Sequence, residues 1–394
     1  MLNNRLDILG DGPFRRLALL IEPMTPAANL PPINLSIGEP QVGCPGLVGD
    51  VIEAHRHLYG KYPPPRGTPA YREAVTDWLN WRYDLPTELL DPDRHVVPVS
   101  GTKEGMFMLA QVAIPERVGA ERPLALLPNP YYHTYAGAVV AAGAEPVFVP
   151  AVRETGFLPD FGALEQGVLD RTALCIICSP ANPQGAVADT AYLRNLISLA
   201  RKHDFVLLAD ECYAEIYSDS PPPGALEVCA ADGVLDNVVV FHSLSKRSSA
   251  PGLRVGFAAG DPDIVESYMR LRTYGAAVIP LPIDAAATAL WRDETHVEKI
   301  RTGYRRQFDA AESIVGDRLG FYRPAGGFFL WLEVGDSVAA AEALWRNAAI
   351  KLLPGTFLAR DVNGDNPGAD YIRVPLVHDI ETTTEALERI VQTL

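Results

Sequence analysis

The 394 residues predict an α/β fold, a mostly parallel seven-stranded sheet sandwiched by helices with a smaller α+β unit beside it. Three observations point there. Strand-length apolar runs alternate with segments of helical period from about residue 95 to 260, the pattern of a parallel sheet covered on both faces. A hydrophobic fraction of 48% with 21% charged residues suits a soluble chain with a large core, and its length exceeds one ordinary domain. The 34 prolines are spread over many short connections, so no linker cuts the chain into independent pieces.

The elements follow in order. The proline-rich first 45 residues lack strong periodicity and are expected to drape over the smaller unit. Between Pro69 and Leu85 the residues Tyr71, Val75, Trp78 and Leu79 fall on one helical stripe. Seven strands are then expected at His95–Val99, Leu124–Leu127, Glu145–Val149, Ala173–Cys178, Phe205–Ala209, Val238–Phe241 and Val255–Ala259. A long helix over 293 to 315, with Val297, Ile300, Tyr304 and Phe308 on one face, connects onward. A strand at Gly327–Val334, a helix at Ser337–Ala348 and a strand at Asp370–Val377 complete the smaller unit. The division expected is a large domain over 46–285 and a small domain made of 1–45 and 286–394.

Charge and cysteine usage exclude several function classes. Lys+Arg of 34 against Asp+Glu of 49 leaves a net charge of −15, which repels nucleic acid and anionic membranes at long range. The 5 cysteines are scattered, and the CxxC at Cys175 and Cys178 lies inside an apolar run without a second pair or a histidine. No metal site and a reducing, cytoplasmic setting are expected. The N-terminal stretch, with an acidic residue before a short apolar run and a proline after it, has neither signal-peptide nor membrane-span character.

The chemistry collects at strand ends, where α/β sheets hold their ligands. Ser100-Gly101-Thr102-Lys103 turns from one strand into a helix and offers backbone N–H groups to an anion, although a plain tight turn has the same pattern. Asn182 follows the next strand, and Asp210 ends Phe205–Ala209, where a buried carboxylate needs a cationic partner. Ser243, Ser245 and Lys246 end the following strand, and Arg254 opens the one after. Adjacent strands bring these to one rim, an anion cradle holding a lysine and a carboxylate. Pyridoxal 5′-phosphate meets that description: a phosphate for the cradle, an aldehyde for the lysine and a ring nitrogen for the carboxylate.

Eight blocks then carry a resemblance over nearly the whole chain. They are LSIGEPQ (35 to 41), KYPPPRGTPAYREAV (61 to 75), SGTKEG (100 to 105), PNPYYHTY (128 to 135), SPANPQG (179 to 185), ADECYAEIY (209 to 217), HSLSKRSSAPGLRVGF (242 to 257) and DYIRVPLV (370 to 377). In this order they resemble the class I/II aminotransferases of fold type I. The stretches RLDILGDGPFRRL, MRLRTY, LPGTFLARD and Asn366-Pro367-Gly368 are similar to the proteobacterial N-succinyl-diaminopimelate aminotransferases in particular.

The resemblance implies roles. Lys246 carries the cofactor covalently and then moves a proton, Asp210 pairs with the ring nitrogen, and Asn182 and Tyr213 bond its phenolic oxygen. Gly101, Thr102, Ser243, Ser245 and Arg254 cradle the phosphate with Lys103 beside them, and Tyr132 stacks on the ring. Arg373 grips the substrate α-carboxylate, and Gly38 lets the chain approach it. Tyr62 reaches the phosphate of a neighbouring subunit, which implies a homodimer with shared sites. The implied activity is amino transfer between glutamate/2-oxoglutarate and an amino or keto acid, with N-succinyl-diaminopimelate, a step of lysine biosynthesis, as the implied substrate. Transamination of another acid and a C–S lyase reaction are the alternatives. The family's aspartate-specific members carry a second arginine where Gly275–Pro282 has no cation, so Lys103, Arg66 and Arg72 remain candidates for a distal carboxylate.

Overall fold

The computed structural model describes residues 4–394. Among them, the strands are β1 (Ile33–Leu35), β2 (Val96–Val99), β3 (Leu124–Asn129), β4 (Glu145–Pro150), β5 (Thr172–Cys178), β6 (Val206–Asp210), β7 (Val238–Ser243), β8 (Gly256–Gly260), β9 (Phe329–Glu333), β10 (Ile350–Pro354) and β11 (Tyr371–Pro375). Two sheets result: a seven-stranded one ordered β2-β8-β7-β6-β5-β3-β4 and a four-stranded one ordered β1-β10-β11-β9.

The large sheet is the expected one, with β8 alone reversed against its neighbours β2 and β7. The connection 244–255 doubles back instead of crossing over through a helix, and a return of that kind gives an antiparallel pair. The reversal puts the start of β8 on the rim where the other six strands end. Its central strands are buried on both faces, while the edge strand β4 is mostly half-buried; Val238, Val239, Val240 and Phe241 are all 0% exposed, each contributing about 1.5–3 kcal/mol of burial. Cys175 and Cys178 point to opposite faces and enter separate cores, so the CxxC forms no thiol pair.

The smaller sheet contains two strands that the sequence pattern does not reveal. β1, within the segment expected to drape, pairs in parallel with β10, and β10 pairs antiparallel with β11. The three residues of β1 are too few for a period, and Ile350–Pro354 continues directly from the helix Ser337–Ala348. The long helix spans Thr295–Val315, with Val297, Ile300, Tyr304 and Phe308 buried as its stripe predicts. The domain division at 285/286 falls inside the helix Leu281–Arg292, whose Ala286, Leu290 and Trp291 share the core of Trp78 and Phe257. We propose the boundary after Arg292, which keeps that helix with the large sheet. No helix among the described residues is long and apolar enough to cross a membrane.

Candidate active site

A cavity of about 400 Å³ lies at the rim formed by the ends of β2, β3, β5, β6 and β7, facing the start of β8 and the smaller sheet. Of the residues singled out by sequence, Gly38, Thr102, Lys103, Tyr132, Asn182, Asp210, Tyr213, Ser243, Ser245, Lys246, Arg254 and Arg373 all line it. Two do not. Gly101 precedes the cavity-lining Thr102 as the N-cap of its helix, and Tyr62 stands 100% exposed outside the cavity of its own chain.

Lys246 sits in a single helical turn, Leu244–Arg247, that follows β7 directly. Its Nζ donates to the Gly38 carbonyl at 2.5 Å and lies 5.1 Å from the Phe328 ring centroid. Burial brings its pKa down to about 8, assisted by the charges of Arg373 and Arg254 and opposed by Cys212 and Glu39. The amine is therefore partly free near neutral pH. Gly38 is required for this contact, since a Cβ there would stand 2.6 Å from Phe329 Cζ in a packed core.

Asp210, the last residue of β6, is 5% exposed. Its Oδ1 accepts from the Cys212 backbone N–H at 3.2 Å and its Oδ2 from the Tyr135 hydroxyl. Burial raises its pKa, against the pull of those bonds and of His242 behind it. Such a carboxylate stands to gain from a cation delivered into the cavity.

The anion-holding corner is assembled by close approach. Gly101 has a φ of 82°, and a Cβ on it would lie 2.1 Å from Arg254 Nη2, so a side chain there would expel the guanidinium. Arg254 itself takes a left-handed φ of 55°, a conformation costing a non-glycine residue on the order of 1 kcal/mol. Its Nη1 donates to the Pro251 carbonyl at 3.0 Å, leaving the rest of its donor fork toward the cavity. The Ser243 and Ser245 hydroxyls, 2.9 Å apart, and the N-terminus of the helix Thr102–Ala113 complete the corner.

Opposite stands Arg373 on β11, 6% exposed, donating to the Ser36 carbonyl at 2.8 Å and to Asn182 Oδ1 at 3.3 Å. Its Nε has no partner, and Cζ sits 4.7 Å over the Phe329 ring. Burial lowers its pKa to about 10, so it stays protonated at neutral pH. A buried guanidinium with an unused donor and no carboxylate partner among the described residues is a site for an incoming one.

Four contributors escaped the sequence reading. Tyr135 lies one helical turn beyond Tyr132, inside the quoted PNPYYHTY block, and its spacing could have drawn notice. His133 lines the cavity between Lys103 and Arg373, with burial and those two cations depressing its pKa to about 4. Cys212 donates its thiol to Thr102 Oγ1 at 3.3 Å. Phe14, which meets His133 edge-on at 6.2 Å between centroids, comes from a segment without any sequence signal for a site. Of the three cations weighed for a distal carboxylate, Arg72 is buried against Asp93 and Arg66 pairs with Glu266 at 2.6 Å. Lys103 alone of the three lines the cavity.

A phosphate corner, a buried carboxylate and a lysine of lowered pKa, all lining one cavity, fit pyridoxal 5′-phosphate by donor and acceptor type. The family model for aminotransferase class I and II matches residues 31–390. The chain belongs to the class I and II aminotransferases. Enzymes of that family depend on pyridoxal 5′-phosphate and act on amino and keto acids. The chain is 32% identical to the LL-diaminopimelate aminotransferase of Desulforudis audaxviator, covering 91% of this chain and 89% of that one. It is 31% identical to the 4-dedimethylamino-4-oxo-anhydrotetracycline transaminase OxyQ of Streptomyces rimosus, covering 91% and 92%. The crystal structure of an aminotransferase from Neisseria meningitidis superposes with a TM-score of 0.95 at 37% identity, covering 99% of both chains. Aminotransferase AspB of Helicobacter pylori gives 0.88 at 34%, covering 97% and 98%.

Proposed function

We propose that this aminotransferase takes glutamate as amino donor and a diaminopimelate-type keto acid as acceptor, with the N-succinylated form preferred. The carrying observation is the charge inventory of the cavity. Among the described residues that line it, Asp210 is the one carboxylate, and the cofactor's ring nitrogen claims it. A free distal ammonium would find no acid there, whereas an acylated amine needs none. The apolar wall of Phe14, Ile37, Leu353 and Leu358 accepts a methylene chain, and Lys103 meets a terminal carboxylate.

Bound, pyridoxal 5′-phosphate supplies an aldehyde for amine exchange and a ring that accepts electrons from the substrate Cα. Arg373 clamps the α-carboxylate with its fork, helped by Asn182, and so fixes which bond at Cα faces the ring. Asp210 holds the proton on the ring nitrogen. Lys246, an amine of lowered pKa, would carry the proton from Cα, and Tyr213 and Asn182 would hold the phenolic oxygen. Thr102, Ser243, Ser245, Arg254 and the Gly101 turn hold the phosphate, with Lys103 alongside and Tyr132 over the ring face. A homodimer supplies Tyr62 to the partner's phosphate, and the enzyme works in the cytoplasm.

The relatives named LL-diaminopimelate aminotransferases favour a second reading, in which the unacylated amino acid is the substrate. An acceptor screen with glutamate as donor separates the two. The N-succinyl keto acid should exceed the free form in kcat/KM by about tenfold or more, the worth of one unpaired charge at about 1.4 kcal/mol or above. Equal or reversed preference overturns the acylated assignment.

A further inference from the structure

A second cavity of about 410 Å³ opens beside the N-terminal helix Pro13–Ile21, lined by Arg16, Arg360, Thr356, Asn366, Asp11 and Asp361. Arg16 and Arg360 approach closely enough that Arg360 depresses the pKa of Arg16, after burial the largest cause. Neither makes a salt bridge among the described residues. Arg360 is fixed in place: its Nε donates to the Tyr131 hydroxyl at 3.0 Å, its Nη2 to the Leu9 carbonyl, and its backbone is locked to Asn129 by bonds of 2.9 and 2.8 Å. Arg16 lies 4.1 Å over the Phe357 ring and reaches the Thr356 carbonyl only at 3.5 Å. Two carboxylates share the lining: Asp11 pairs with Arg15 at 2.9 Å, and Asp361, which accepts from Asn366 at 2.9 Å, offsets part of the repulsion at Arg16 without forming a salt bridge to either arginine.

Two like charges held together at a polar hollow, one of them rigidly, call for a counter-ion. We propose that this cavity is a binding site for a small oxyanion, a carboxylate or phosphate, separate from the catalytic cavity and coupled to it. The coupling runs through the helix Pro13–Ile21. Its first turn carries both Pro13 and Phe14, which wall the catalytic cavity, and Arg16, which lines the second one. Tyr131 extends the link, since it lines the catalytic cavity and accepts from Arg360. An anion between the guanidiniums removes their repulsion and holds that wall in place, which lowers the KM for substrate and leaves kcat unchanged. The site stands on its own geometry and does not depend on which keto acid the enzyme takes.

The test uses the pyridoxal-phosphate-loaded enzyme, whose phosphate corner is filled. Calorimetric titration with inorganic phosphate, and separately with succinate, should show saturable binding that persists when glutarate occupies the catalytic cavity. Arg16→Gln should weaken that binding about tenfold or more and raise the substrate KM, and Arg360→Lys should do the same if the folded yield of Arg360→Gln is poor. The two titrants identify the ligand: preference for phosphate or for the dicarboxylate names the natural class. Binding that glutarate abolishes, binding unaffected in both arginine variants, or no saturable binding of either titrant overturns the proposal.

Discussion

Lys246 is where burial and chemistry meet. Its folded pKa of about 8 lies below the ordinary lysine value, so the ammonium form is disfavoured in the fold; the stability that the neutral form contributes is present above the unfolded pKa and is lost as pH falls through 8. The free amine that must attack the cofactor aldehyde accumulates over the same range. In cofactor-free protein the rate of pyridoxal phosphate uptake should rise with pH and level off above about 8; a rate still climbing through pH 10 would mean an unperturbed lysine. Arg373→Lys keeps the charge and loses the fork, so KM for both amino and keto acids should rise roughly tenfold or more, since a charge-assisted hydrogen bond contributes about 1.5–3 kcal/mol. An unchanged KM would place the α-carboxylate elsewhere. Asn182, Asp210, Ser243 and Lys246 were legible because position at a strand end fixes their location, whereas Gly38, Tyr62 and Arg373 were legible only through the resemblance of their blocks. Tyr135 and His133 were not singled out, because their roles depend on which helix face turns inward. Phe14 depends on a tertiary contact that no local pattern encodes.

At the scale of elements, the loop after β6 is held by a buried clasp. Glu215 lies 2.6 Å from Arg82 Nε on the helix Pro69–Tyr83 and 2.8 Å from Arg301 Nη2 on the long helix Thr295–Val315. Arg82, Arg247 and Arg301 together hold the Glu215 pKa low against its burial. Glu215→Ala leaves the Arg82 guanidinium buried without an acid, while Arg301 keeps Glu298 at 2.6 Å, and should lower unfolding stability by about 3–5 kcal/mol, read by denaturant titration. A loss within 1 kcal/mol would mean that water reaches the pair. Gly38→Ala forces a methyl against Phe329 and should cost about 1–3 kcal/mol along with the Lys246 contact. The large sheet was legible since its strands are apolar runs, and the long helix since its stripe from Val297 to Phe308 holds over about three turns. β1 escaped because it borrows its stability from β10, a pairing across more than three hundred residues that leaves no periodic trace in the chain. The clasp escaped because charged residues on separate elements announce nothing until they are packed together.

For the whole molecule, one core runs from the face of the large sheet that carries Leu127 and Phe241 into the smaller sheet with Phe329, Leu352 and Ile372. The catalytic cavity lies along that seam, with Lys246 and Asp210 on the large sheet and Arg373 on the small one, so cofactor and substrate carboxylate are held by different sheets. A homodimer is the expected assembly: sedimentation should give twice the chain mass, and Tyr62→Phe should weaken cofactor retention without changing the sedimentation. A fully active monomer would remove Tyr62 from the site. The account rests above all on the covalent hold of the cofactor at Lys246, opposite Asp210. Borohydride reduction of the purified, pyridoxal-phosphate-loaded enzyme followed by mass mapping of its peptides should place a single pyridoxyl label on Lys246, with none in Lys246→Ala; a label on another lysine, or a folded enzyme that takes up no cofactor, would contradict it.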